Sequence, residues 1–186
     1  MRIIAGRHRG RRLAAPAGEA TRPTADRVRQ ALFDMLWHAP WGGRGAVADR
    51  RVLDAFAGTG ALGLEALSRG AAHATFLETA RPALAALRAN IAACGAEAAS
   101  TVLAADATRP PRAPLPCALV FLDPPYAEGL LPKAVAALAE AGWIAPAALL
   151  VAESAAAAPP PAPPPGFTAL AERLHGPARL SVVRAP

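Results

Sequence analysis

Between Arg51 and Glu153, short apolar runs alternate with longer helix-like segments, and this alternation predicts βαβ units carrying a parallel sheet. The expected strands are Val52–Phe56, Ala74–Glu78, Thr101–Ala105, Ala118–Leu122 and Leu149–Glu153, with helices over Ala61–Ser68, Pro82–Cys94 and Leu131–Ala141. Upstream, Val28, Leu32 and Leu36 fall on one helical face, and Thr24 is a fitting N-cap for a helix running through Leu36. Ahead of it, Arg2-Ile3-Ile4 and Arg12-Leu13 flank Gly6-Arg7-His8-Arg9-Gly10, the pattern of a short hairpin or loop with an Arg-rich tip. After the sheet, Pro159 to Gly166 reads as an extended spacer. Phe167–Leu174 and Arg179–Val183, parted by His175-Gly176-Pro177, predict a closing hairpin. The 186 residues suit one domain: a basic hairpin and helix over 1–38, a βα core over 51–153 and a hairpin over 167–184.

Charge separates the two ends of this plan. Met1 to Gln30 hold eight Arg against Glu19 and Asp26, a balance of +6, whereas the other 156 residues hold twelve bases and twelve acids. Arg22, Arg27 and Arg29 cluster at the start of the expected helix, where the dipole disfavours cations, so something other than helix stability keeps them there. Such a segment suits binding of a phosphate backbone, and charge alone leaves a solvated basic tail equally open. The start Met1-Arg2-Ile3-Ile4-Ala5 has no continuous apolar stretch, and no run of about eighteen apolar residues occurs, so a soluble, cytoplasmic protein without a membrane partner is expected. An organellar transit peptide fits poorly, because the Arg-rich start runs directly into a patterned segment and lacks Ser. Cys94 and Cys117 lack metal-ligand spacing and read as buried apolar groups; no metal is expected, and a monomer is the default.

In an open α/β sheet, ligands bind beyond the carboxyl ends of the strands. Four acids stand there, Asp54, Glu78, Asp106 and Asp123. Gly58-Thr59-Gly60-Ala61-Leu62-Gly63 satisfies the dinucleotide fingerprint, and Glu78 lies at the spacing of a ribose-binding acid, so NAD is one option. Asp54 argues against it: a carboxylate beside the glycine turn repels a pyrophosphate but welcomes the ammonium and sulfonium of S-adenosylmethionine. The glycines then let the backbone pass close under the methionine part, Glu78 accepts from ribose hydroxyls, and Asp106 accepts from the adenine amino group.

The fourth strand delivers Asp123-Pro124-Pro125-Tyr126 to the same rim. Consecutive prolines fix two φ angles and remove two donors, so the Asp123 and Pro124 carbonyls are held rigidly. An exocyclic amino group is a poor nucleophile because its lone pair is delocalised into the ring. Accepting its hydrogens at the Asp123 carboxylate and the Pro124 carbonyl favours pyramidal nitrogen and aims the lone pair at a methyl carbon. Tyr126 can stack on an unpaired or flipped base.

These residues resemble the bacterial 16S ribosomal RNA guanine-N2 methyltransferases of the small subunit. The similarity covers nearly the whole chain: Arg2 to Gly6, Arg9-Gly10-Arg11, Arg22-Pro23-Thr24, Asp26 to Arg29, Leu32-Phe33, Asp54 to Arg69, Asp123 to Tyr126, Gly142-Trp143 and Glu153. The cofactor and base motifs are shared by many amino-methyltransferases, whereas the Arg-Pro-Thr segment is narrower. Two departures stand out. Thr79-Ala80-Arg81 leaves Glu78 without a second acid, and His175 stands where an aromatic residue is more usual.

The resemblance implies a class I S-adenosylmethionine-dependent methyltransferase fold, α/β and Rossmann-like. It has a seven-stranded mixed sheet, the last strand antiparallel, with helices on both faces. It implies cofactor contacts at Asp54, Phe56, Ala57, Gly58, Thr59, Gly60, Glu78, Asp106 and Ala107. It also makes 16S ribosomal RNA in the small ribosomal subunit the partner of the basic start. Arg7, Arg9, Arg11 and Arg12 would hold phosphates, Arg22 and Arg29 would join that RNA-binding set, and Thr24 and Arg27 would lie near the target entrance. The rivals are an adenine-N6 methyltransferase, which uses the same loop, and a non-catalytic RNA-binding module. Only 59 residues separate Gly63 from Asp123, too few for the separate target-reading domain that DNA adenine methyltransferases usually need.

Overall fold

Successive strand residues face opposite sides of a sheet, and in Val52-Leu53 and Leu119-Val120-Phe121-Leu122 every position is apolar, so both faces need a cover. The structure, a computed structural model, describes residues 1–16, 23–125, 129–160 and 162–186. Strands β1 (Arg51–Asp54), β2 (His73–Glu78), β3 (Ser100–Ala104), β4 (Cys117–Leu122), β5 (Ile144–Ala155), β6 (Thr168–His175) and β7 (Ala178–Arg184) form one seven-stranded sheet ordered β3-β2-β1-β4-β5-β7-β6. The pairs among β1 to β5 are parallel, and β7 runs antiparallel to both its neighbours. Helices α1 (Pro23–His38), α2 (Ala61–Ser68) and α3 (Arg81–Ala93) cover one face, burying Leu32, Phe33, Leu36, Leu64, Leu67 and Leu87 against Val52, Leu119 and Phe121. Helix α4 (Leu130–Glu140) covers the other with Ala134, Val135 and Leu138, against Leu53, Val120 and Leu150. Each large apolar side chain so buried stabilises the fold by roughly 1.5–3 kcal/mol.

Two positions depart from the sequence expectation for physical reasons. Helix α1 begins at Pro23, whose fixed φ suits a first helical position, so Thr24 lies inside the helix and is not its cap. Strand β5 starts at Ile144, ahead of the expected Leu149; Pro146 and the positive φ of Ala147 (57°) interrupt its apolar pattern, and the register against β4 shifts there. Because β5 and β6 run in the same direction, the chain must cross back between them. That crossing carries neither helix nor strand over residues 156–160 and 162–167. The Pro-rich stretch thus does what a helix does elsewhere in parallel sheets, and with α4 it walls an apolar concavity whose floor includes Leu122 and Leu150.

The N-terminal arm is a narrow loop closed by one antiparallel bridge, Arg2 to Arg12, with Ile3 and Leu13 buried beneath it. Its backbone is pinned to α2. Glu65, fully buried, accepts from the Ile4 and Ala5 amides (2.8 and 3.0 Å) and from Arg69 Nε (2.8 Å). Ser68 accepts from the His8 amide through its hydroxyl and from the Arg7 amide through its carbonyl. Gly6 has φ +81°, and a Cβ there would stand 1.9 Å from the Ser68 carbonyl oxygen, so only glycine permits this approach.

Candidate active site

Parallel pairing brings the carboxyl ends of β3, β2, β1, β4 and β5 to one edge. Asp106, Glu78, Asp54, Asp123 and Glu153 stand along it in that spatial order. The four acids expected from sequence are therefore neighbours on one rim. Glu153 is a fifth, half-buried and next to Ala152, which pairs with Leu122. The strand-end rule could have found it, since it closes the expected fifth strand.

Asp54 is 1% exposed. Its Oδ2 accepts from the Gly63 amide at 2.9 Å, whereas its buried Oδ1 has no hydrogen-bond partner among the described residues. Burial, reinforced by the negative charge of Glu78, pushes its carboxyl up to about 7 against the pull of the Gly63 bond. Glu78 accepts from Gly58 through Oε2 (2.7 Å) and from the Thr79 and Ala80 amides through Oε1 (2.7 and 2.8 Å). A carboxylate has about four acceptor sites, so with three filled one is left for a ribose hydroxyl; serving two would require the Gly58 bond to open. Asp106 accepts from the amide and hydroxyl of Thr108, with Arg109 at 3.6 Å, and these hold its carboxyl below the usual range. Ala55, Phe56, Leu77, Glu78, Asp106 and Ala107 line a small cleft between these acids.

The three glycines of the loop have no amide left to offer a phosphate. Gly58 N–H is given to Glu78, Gly60 N–H to the Ala57 carbonyl at 2.7 Å, and Gly63 N–H to Asp54. A pyrophosphate cradle needs such amides free. An unpartnered buried carboxylate oxygen beside a small acid-lined cleft instead fits a cationic cofactor carrying a ribose and an adenine, and S-adenosylmethionine is one.

Asp123 and Pro124 follow β4 directly onto this rim, with Asp123 exposed and Pro124 buried. Asp123 reaches solvent, but the strand ends crowd it; that crowding, together with the charges of Glu153 and Asp54, pushes its carboxyl up to about 7. Pro125 is exposed. Tyr126 lies outside the described residues, as do Arg22 and the Thr24 side chain.

On the arm, Arg7, Arg9, Arg11 and Arg12 are exposed around a concavity of about 570 Å³, and Arg27 is exposed on α1. His8 joins that concavity, held below its usual pKa by burial and by Arg7 and Arg11. Arg29 does not belong with them. It is 4% exposed, donates to Asp26 (2.9 Å) and to the Arg2 carbonyl, and lies 3.7 Å from Glu65, so its guanidinium is committed inside the protein and is withdrawn from the RNA-binding set. Cys94 and Cys117 are buried thiols, with burial raising both and taking Cys117 to about 11. Among the described residues no helix is long and apolar enough to cross a membrane.

Comparison with known proteins adds three findings. The family described as conserved hypothetical protein 95 matches residues 1–184. Ribosomal RNA small subunit methyltransferase D of Escherichia coli K12 is 42% identical over 153 residues, 82% of this chain and 74% of the relative; its Haemophilus influenzae counterpart is 38% identical over 157 residues, 82% and 78%. A solved structure of the protein yhhF from Escherichia coli superposes with a TM-score of 0.85 at 37% identity, covering 100% of this chain and 97% of that one.

Proposed function

The chain belongs to the family described as conserved hypothetical protein 95, that of ribosomal RNA small subunit methyltransferase D, and on that premise we propose that it methylates the exocyclic N2 amino group of a guanine in 16S ribosomal RNA of the small subunit, using S-adenosylmethionine. The observation that carries the chemistry is the placement of Asp123 and Pro124 on one rim with a glycine loop whose Gly58 and Gly63 amides are already committed to Glu78 and Asp54.

When bound, S-adenosylmethionine supplies an electrophilic methyl group on a sulfonium. Asp54, Glu78 and Asp106, with the backbone of Phe56 to Gly60 and Ala107, are the residues to hold it. The Asp123 carboxylate and the Pro124 carbonyl accept the two amino hydrogens, turning the nitrogen lone pair out of ring conjugation. As the new C–N bond forms and the C–S bond breaks, the nitrogen becomes acidic. Asp123, with its carboxyl lifted to about 7, is matched to take that proton near neutral pH. Tyr126 stacks on the base. Arg7, Arg9, Arg11, Arg12 and Arg22 meet phosphates, while Thr24 and Arg27 serve the cofactor and target entrance. A monomer acting in the cytoplasm is sufficient for this task.

The test is incubation with labelled cofactor and, in parallel, undermethylated small subunits, naked ribosomal RNA and DNA, followed by mapping of the labelled base. Label is expected in N2-methylguanine of small-subunit RNA, and N6-methyladenine would sink the guanine assignment. Asp123→Ala is expected to abolish transfer, at least about a thousandfold, with cofactor affinity kept.

A further inference from the structure

Asn90, in the last turn of α3 and 1% exposed, touches two functional parts at once. Its Oδ1 accepts from the Ala14 amide at 2.7 Å, and its Nδ2 donates both to the Ala14 carbonyl at 3.0 Å and to the Thr59 carbonyl at 2.9 Å. Ala14 directly follows Arg11-Arg12-Leu13, the returning side of the basic arm. Thr59 stands between Gly58 and Gly60, whose φ angles of 51° and 82° shape the cofactor loop. One buried amide therefore joins the arm, 76 residues away in sequence, to the loop, 31 residues away.

We propose that Asn90 is a positioning residue that couples the seating of the arm to the shape of the cofactor loop, so that RNA on the arm and S-adenosylmethionine in the loop strengthen each other's binding. This rests on the RNA-methyltransferase reading above.

Two more anchors of the arm, Glu65 and Ser68, lie in α2, which starts at Ala61 directly after that loop, so these tethers lead to the same place as Asn90. An amide that pairs with both backbone groups of Ala14 is seated only while the arm is seated. RNA that fixes Arg7, Arg9, Arg11 and Arg12 holds Ala14, keeps Asn90 in register and removes in advance part of the disorder that the cofactor would otherwise have to remove. Linkage makes the effect reciprocal.

Two variants cut the chain of contacts at different points. Asn90→Ala removes all three bonds. Ala14→Pro removes only the N–H donated to Asn90 and leaves the Asn90–Thr59 bond in place. Cofactor affinity is measured by calorimetry with and without undermethylated small subunits. In the parent protein the subunits are expected to tighten S-adenosylmethionine about fivefold or more, and in both variants that factor is expected to fall to about one. KM for the cofactor rises while kcat at saturation holds, a split that loss of folded protein would not give.

In the ligand-free protein, hydrogen exchange at the Gly58 and Gly60 amides is expected to quicken in both variants. Unchanged exchange at these amides in Ala14→Pro, or an undiminished coupling factor in Asn90→Ala, overturns the proposal. Failure of the parent protein to bind cofactor at all would instead count against the methyltransferase reading, and the exchange measurement would still decide the role of Asn90.

Discussion

Two carboxylates are removed from solvent, one in the seam beneath the N-terminal arm and one in the rim at the strand ends, and the protein treats them in opposite ways. Glu65 has both oxygens occupied by two amides and Arg69, with Arg29 close by. Asp54 has one oxygen bonded to Gly63 and the other left without a partner. A buried acid with all its bonds made joins parts of the fold. A buried acid with a bond missing raises its own pKa and is worth that cost only where a ligand completes it.

The largest way to break this contrast is Glu65→Ala, which leaves two backbone amides and Arg69 Nε without their acceptor. Unfolding by denaturant is expected to show a loss of about 3–5 kcal/mol. Asp54→Asn is expected to do the reverse: calorimetry should show S-adenosylmethionine binding weakened about ten- to a hundredfold, without loss of fold stability at pH 8.

The sign follows from proton linkage. A carboxyl raised from 3.8 to about 7 binds more protons folded than unfolded between those values, so stability falls as pH climbs through that window. The Asn variant should lack that contribution, and denaturant midpoints at pH 5 and 8 check it. Transfer should run the other way, because Asp54 and Asp123 act ionised; kcat/KM is expected to rise with pH to a plateau above about 7. The smallest effect sharpens the contrast on the arm itself. Arg9→Gln is expected to weaken RNA binding a few-fold and to reduce its salt slope by about one, whereas Arg29→Gln leaves the slope unchanged and lowers stability.

The elements were legible wherever local chemistry decided them. Helix α2 runs over the residues its pattern predicts, Ala61–Ser68, and the acids at the ends of β1, β2, β3 and β4 follow from where apolar runs stop. What stayed hidden depends on distant partners. Glu65 and Ser68 look like ordinary polar positions of a short helix until the arm packs on them from 60 residues away. Asn90 and Arg29 are alike in this: an Asn in an Ala-rich helix and an Arg in a basic cluster reveal their burial only through contacts no spacing encodes. The crossover role of the Pro-rich stretch also came from topology, since only the insertion of β7 between β5 and β6 makes β6 parallel to β5.

That insertion sets an order of assembly. Strand β6 pairs with β7 alone, and β7 alone joins it to the sheet through β5. The two can zip locally across Gly176 and Pro177, but they gain a core only by docking together, with Leu180 and Val182 sealing the face already covered by α1. Until then β5 stands as an open edge, the kind of surface that recruits stray strands. A growing or refolding chain therefore carries a half-built sheet next to its rim of strand-end acids until β6 and β7 dock to close it.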